Sequence, residues 1–223
     1  MIGENLQRVQ ERIAAAARSA GRDPSQVRLI CVTKGVPVER VREAAAAGVR
    51  EIGENRVQEA QEKQPVLGRE LRWHLIGRLQ SNKVKLAAGL FDVIHSVDSA
   101  ALAETLEQHA ARRPADREAL EVFVQVNVSG EITKFGCAPE EAGALAHTMS
   151  HLAHLRVAGL MTIAHFSEDP QEARPHFRRL RERRDAMMPG GRLSMGMSHD
   201  FEVALEEGAD VIRIGTAIFG SRP

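Results

Sequence analysis

The chain has 223 residues, 43% of them apolar, with 30 Lys and Arg balanced by 30 Asp and Glu for a formal net charge of zero. That length suits one large domain over 1–223, and the apolar content excludes disorder. The balanced charge gives no summed field toward a nucleic-acid backbone or an anionic membrane, and no apolar run approaches the ~20 residues of a bilayer span. The N-terminal stretch is amphipathic, with acids as well as bases and no export signal, so a cytoplasmic protein is expected. Cys31 and Cys137 lack any paired metal-ligand spacing and read as reduced, structural thiols.

In chain order, a helix over 5–20 precedes the first of eight β-rich segments, at 28–33, 50–53, 72–77, 92–97, 121–127, 156–163, 192–196 and 211–215. Between them lie Ala-, Glu- and Arg-rich stretches of helical spacing, among them 38–47 ended by Gly48, 99–112 capped by Asp98 and Ser99, and 139–152. Alternation of this kind predicts parallel βα units, hence an α/β protein, and eight strands is the number that closes a barrel. The rival architecture, an open doubly wound sheet, would want a Gly-rich phosphate turn after a strand, and none is present. A single (β/α)8 barrel is therefore expected, with its site at the C-terminal ends of the strands.

Three features could carry chemistry there. Lys34 finishes the first strand, where lysine needs a reason: either it snorkels to water, or it serves a pocket in which a neutral amine attacks an aldehyde to form a Schiff base. The stretch LSMGMSHDFEVALEEGADVIRIGTAIFG places Ser198 after strand seven and Gly215-Thr216 after strand eight, the two loops that cradle phosphate in many barrels. Ser198 and Thr216 are also acceptable helix caps, so capping competes with anion binding. Arg213 interrupts the apolar strand VIRIG and is expected to face a polar site.

Taken together, TKGVP, IGENRVQEAQEK, WHLIGRLQSNK, IHSVDS, VNVSGEITKFG, GLMTIA and the C-terminal stretch resemble the pyridoxal 5′-phosphate homeostasis proteins (YggS/PROSC family), nearly end to end. More distantly, the chain is similar to the N-terminal barrel of alanine racemase, the fold-type III arrangement. The resemblance implies pyridoxal 5′-phosphate as cofactor, Lys34 as its Schiff-base lysine, and Ser198, Gly215 and Thr216 around the phosphate. It further implies that Arg213 faces the pyridine nitrogen and that Asn55 lies near the ring. An arginine cannot accept a proton, so the ring would be a weaker electron sink than with an acidic partner.

Departures matter too. The racemase needs a second β-domain and a tyrosine base, whereas this sequence stops at Pro223 and holds no tyrosine. Arg56 stands where the family often has an aromatic, and Gly35 where Thr is common. The expected role is to bind, store and deliver the cofactor in vitamin B6 homeostasis, as a monomer acting transiently on apo-enzymes that use it. A small racemase or other amino-acid-transforming enzyme is the competing class, and an interaction protein without ligand a third.

Other residues carry weaker signals. His147, His151 and His154 fall at i, i+4 and i+7, which suits a solvated helical face better than a metal site. The run Arg178, Arg179, Arg181, Arg183, Arg184 goes round its helix among acids and reads as a solvated surface. His74, His95 and His165 lie at or near strand ends, the first two expected to be packed and hydrogen-bonded. Lys83 and Lys134 follow strands three and five as secondary amines, anion-steering charges or solvent-exposed groups.

Overall fold

The computed structural model describes residues 1–131 and 134–220. Ile132 and Thr133 of the SGEITKFG motif, and residues 221–223, lie outside the described residues. Eight strands alternate with helices: α1 Ile2–Ser19, β1 Arg28–Val32, α2 Val38–Ala46, β2 Glu51–Glu54, α3 Val57–Leu67, β3 Arg72–Leu75, α4 Val84–Leu90, β4 Val93–Val97 and α5 Ala100–Ala110. Then come β5 Leu120–Gln125, α6 Ala142–Ser150, β6 Leu155–Met161, α7 Arg174–Met187, β7 Arg192–Met197, α8 Phe201–Glu206, β8 Val211–Ile214 and α9 Thr216–Phe219. Every strand pairs in parallel with the next, and β8 pairs back onto β1 with Ile30 opposite Arg213 and Cys31 opposite Ile214, which closes the ring.

The strands are nearly all buried because both faces are covered, as parallel strands require. Most apolar burial lies between the strands and the surrounding helices. Inside the ring the apolar filling is small, comprising Ile30, Val93, Phe123, Ala158, Met161 and Val211. Polar side chains occupy the remaining interior, and they define the site described below.

Helix α1 repeats its apolar residues at helical spacing, burying Ile2, Leu6, Val9, Ile13, Ala16 and Ala17. That face packs on α8, α9 and α2, and Asn5 Nδ2 donates to the Ile218 carbonyl at 2.9 Å, joining the first helix to the last. Among the described residues no helix is long and apolar enough to cross a membrane.

Helix α6 is shorter than the 139–152 expected from spacing. The chain tightens at its end, where His151 and Leu152 N–H donate three residues back to Thr148 and Met149. His154 therefore falls outside the helix and binds Glu107 at 2.7 Å instead of joining His147 and His151. Cys31 and Cys137 are buried free thiols, both pushed up by burial to about 12.

The N-terminal mouth of the barrel is held by charge. Buried Glu121, the second residue of β5, accepts from Arg192 and Arg156 at 2.5 Å each and from Arg72 at 3.4 Å. Asp92 and Asp210 repeat the pattern, Asp92 with Arg117 at 2.5 Å and Asp210 with Arg22 at 2.6 Å.

Candidate functional site

At the opposite mouth, β1 ends and the chain turns through Thr33, Lys34 and Gly35. Gly35 has φ of +65°, the left-handed region that a side chain resists, and this sharp turn leaves Lys34 half-buried at the rim. Beside it, β8 ends in Gly215 and leads into α9. Lys34, Gly35, Arg40, Gly215 and Thr216 line one small pocket at the seam between the first and last strands. Ser198, in the turn after β7, accepts from the Gly215 N–H at 3.3 Å, and Thr216 is an exposed residue. Five of the six residues singled out from sequence are thus gathered around this seam, with Arg213 one strand layer deeper.

Asn55 is placed differently. It follows β2 and lines a neighbouring, wider opening with Arg56, Gly77, Arg78 and Lys83. Its backbone is pressed against Gly77, where a Cβ would lie 2.2 Å from the Asn55 carbonyl oxygen, so the two loops can pack only because residue 77 is glycine. Arg78 stacks over the exposed Phe135 ring at 4.0 Å on the same rim.

Arg213 is 3% exposed and points into the barrel. Burial pulls its guanidinium down to about 10, against the attraction of Asp200, so it remains charged at neutral pH. Its Nη1 donates to Ser194 Oγ at 2.6 Å and its Nη2 to the Thr162 carbonyl at 2.8 Å. Asp200, whose carboxyl is raised by burial, accepts from Met197 N–H at 2.6 Å and so holds the turn that carries Ser198.

Below Arg213 a polar chain crosses the barrel interior. Ser194 Oγ lies 2.9 Å from His95 Nδ1, His95 Nε2 lies 3.0 Å from His74 Nδ1, and His74 Nε2 lies 3.0 Å from a Glu51 carboxylate oxygen. The last contact is too poorly aligned to count as a hydrogen bond. Arg213 can only donate, which makes Ser194 Oγ its acceptor. Burial, with His74 and Arg213 adding repulsion, holds His95 well below 6.5 and hence neutral. Burial pushes Glu51 up, but His74, Arg28 and Arg72 outweigh it and hold the carboxyl below its usual range.

A second polar group sits behind the Lys34 turn: Glu54 at the end of β2, with Glu59 and Lys63 on α3. The sequence reading passed over all three, and also Thr162, Ser194 and Glu51. A signal existed for Lys63, because it shares the buried face of α3 with Val57, Ala60 and Gln64, where an unpaired lysine would not be tolerated.

The remaining sequence candidates are surface features. His165 is exposed and lies 3.2 Å from Glu131. His147 and His151 face each other in solvent, with Nε2 atoms 3.3 Å apart. The arginines of α7 are answered by acids, Arg178 and Arg181 at Glu207, Arg179 and Arg183 at Glu140, and Arg184 at Asp185. Among the described residues no group of three or more metal-ligating side chains occurs.

The fold and rim define a class: parallel barrels in which a strand-end lysine faces a serine and threonine loop across the closing seam, above a buried arginine. The alanine racemase N-terminal domain model matches residues 5–223. A pyridoxal phosphate homeostasis protein of Pseudomonas aeruginosa is 48% identical over 99% of this chain and 96% of its own length. One from Aquifex aeolicus is 45% identical over 98% and 97%. The solved structure of PipY from Synechococcus elongatus with PLP bound superposes with a TM-score of 0.82 at 39% identity, covering 99% of this chain and 100% of that one. The chain belongs to the family of the pyridoxal phosphate homeostasis proteins, within the alanine racemase N-terminal domain group.

Proposed function

We propose that the protein binds pyridoxal 5′-phosphate at the seam between β1 and β8 and serves vitamin B6 homeostasis by storing the cofactor and passing it to apo-enzymes. The observation that carries this reading is the shared pocket of Lys34, Gly215 and Thr216 with Ser198 behind it. That donor set fits the group: an amine for an aldehyde at one side, hydroxyls and a loop amide for a phosphate at the other. The cofactor, when bound, supplies a reactive aldehyde and a conjugated ring able to take up electrons. Lys34, as the neutral amine, attacks the aldehyde carbon and forms a Schiff base with release of one water. Ser198 and Thr216 donate to phosphate oxygens, each a charge-assisted hydrogen bond. The buried, permanently donating Arg213 cannot give a ring nitrogen a full proton, and Ser194 and Thr162 fix its orientation.

Storage rather than turnover is supported by the same arginine, which weakens the electron sink that proton removal from an amino acid needs. The deciding experiment is the visible spectrum of the purified protein with added cofactor, before and after borohydride, with mapping of the reduced adduct. The expected result is a pyridoxyl group on Lys34. An adduct on Lys83 or Lys134 with Lys34 unmodified would overturn the assignment. Amino-acid turnover at ~1 s⁻¹ or faster, abolished by Lys34→Ala, would establish an enzyme instead.

A further inference from the structure

Lys34 lies between two peptide groups that are both gripped by helix α3. Lys63, on the buried face of α3, has three ammonium protons and three acceptors: the Thr33 carbonyl at 2.7 Å, Glu54 Oε1 at 2.8 Å and Glu59 Oε2 at 3.4 Å. The Thr33 carbonyl belongs to the peptide that leads into Lys34. The same Glu54 oxygen also accepts from the Thr33 hydroxyl at 2.6 Å. On the far side, Glu59 Oε2 accepts from the Gly35 N–H at 2.7 Å, the amide of the peptide that leaves Lys34. Thr33 N–H donates in turn to the Gly53 carbonyl of β2 at 2.9 Å.

A fully bonded, 8% exposed lysine that spends all three protons on the turn beside a rim lysine is expensive to maintain. The barrel wall does not need it, since β1 and β2 are already paired at Cys31 with Ile52 and at Val32 with Gly53. The charges, moreover, are arranged about the turn and not about the helix. Glu59, pushed up by burial, is drawn further down by the Gly35 N–H and Lys63, so the lower side of the turn faces an ionised carboxylate. Glu54 is completely buried, and its second oxygen has no hydrogen-bond partner, so Lys63 and Thr33 together hold it in place.

We propose that Lys63, Glu54 and Glu59 are positioning residues for Lys34: they clamp the peptide on each side of it, so that its amine is presented to an aldehyde at the pocket without first ordering the turn. The role of Lys34 as that amine rests on the function proposed above, whereas the clamp itself is a property of the ligand-free protein. In Gly35 the turn has a residue whose backbone resists little, and the clamp supplies the rigidity that glycine lacks.

Two measurements test this, one without any cofactor. In the ligand-free protein, Glu59→Ala should speed hydrogen exchange of the Gly35 amide by about tenfold or more, the loss of one charge-assisted bond, while amides of β5 stay within about twofold. Glu59→Gln keeps an acceptor oxygen and should restore most of the protection. With ligand, Lys63→Met should weaken pyridoxal 5′-phosphate by about tenfold or more. Pyridoxine 5′-phosphate, which has an alcohol in place of the aldehyde, should change by less than about twofold. Equal weakening of both ligands, or unchanged Gly35 exchange in Glu59→Ala, would overturn the clamp. If Lys63→Met does not fold because Glu54 is left buried without a counter-charge, the double variant Glu54→Gln/Lys63→Met removes both and takes its place. Should the wild-type protein capture no aldehyde at all, the proposed function fails, and the exchange result still decides the clamp.

Discussion

The two mouths of the barrel are built on opposite principles. At the N-terminal mouth the buried Glu121 and the half-buried Asp92 and Asp210 are answered inside the protein, Glu121 by three arginines, Asp92 by Arg117 and Asp210 by Arg22. At the C-terminal mouth Lys63 likewise answers Glu54 and Glu59 behind the Lys34 turn, but the seam itself carries smaller polar groups, among them a serine that accepts one loop amide and an exposed threonine. The first arrangement satisfies its own hydrogen-bonding capacity and stabilises the ring. At the seam the serine and threonine hydroxyls keep donor capacity that a ligand could use, which would assign stability and binding to different ends of the same strands.

Removing charge at the sealed end should have the largest effect. Glu121→Ala leaves three guanidinium groups facing one another without their acid and should cost on the order of 3 kcal/mol, somewhat relieved because the arginines are part-exposed. Thermal or urea unfolding measures it, and affinity for pyridoxal 5′-phosphate should hardly move in the protein that stays folded. At the open end the pattern should invert. Ser198→Ala and Thr216→Ala should each weaken the phosphorylated cofactor by roughly 1.5 to 3 kcal/mol, about one to two decades, with little change in melting temperature. Titration of pyridoxal alongside its phosphate checks this, since equal losses for the two ligands would move the cradle elsewhere.

Between the mouths, Ser194→Ala strips an acceptor from Arg213 and a hydrogen-bond partner from His95, both buried, and should destabilise by about 1 to 2 kcal/mol. It should also loosen Arg213, so a change in the bound cofactor's absorption maximum is expected, which Glu121→Ala would not give.

The most gradual effect is the one on pH. In the unfolded chain His95 takes a proton near 6.5, but in the barrel burial holds it well below that value, so the unfolded state binds more protons. Stability from this group is therefore present above about pH 6.5 and falls as the pH drops below it, by at most about 1.4 kcal/mol per pH unit for one proton. Glu51 and Glu59, held low, add losses of the same sign at more acid pH, while Glu54, held high by burial, works the other way. Unfolding midpoints between pH 7 and 5, compared with His95→Gln, isolate the histidine contribution.

How much of this was legible in the sequence follows from what each residue type can hide. All eight strands and their closure show in the alternation of apolar runs and helical stretches, because that pattern repeats with a fixed period. Lys34 and Arg213 stood out as charges at the end of one apolar strand and inside another, where a site competes with snorkelling for the lysine and is the expected reason for the arginine. Ser194 and Thr162, by contrast, are small polar residues common in buried strands, and nothing local tells that their oxygens receive Arg213. Glu51, His74 and His95 come from three strands whose inward faces meet only once the ring is closed. Glu54, Glu59 and Lys63 were written in a motif that invites attention to Asn55, yet the helical spacing of α3 places Lys63 inward and Asn55 at a different opening. The end of α6 shifted for a related reason, since the tightening of its last turn depends on backbone geometry that periodicity does not carry.

The seam that joins β1 to β8 also sets an order in time. Lys34 lies early in the chain, Thr216 follows the last strand, and α1 holds α9 through Asn5. The seam pocket does not exist until that final strand has docked, and joining parallel strands from opposite ends of a chain is slow because its contacts are so distant in sequence. An unclosed ring presents two bare strand edges, the kind that pair with other chains. A ligand that recognises only the closed seam shifts the closing equilibrium by mass action. The vitamin-derived cargo would then act as a clasp on its own container, with newly made protein safest from aggregation wherever that cargo is plentiful.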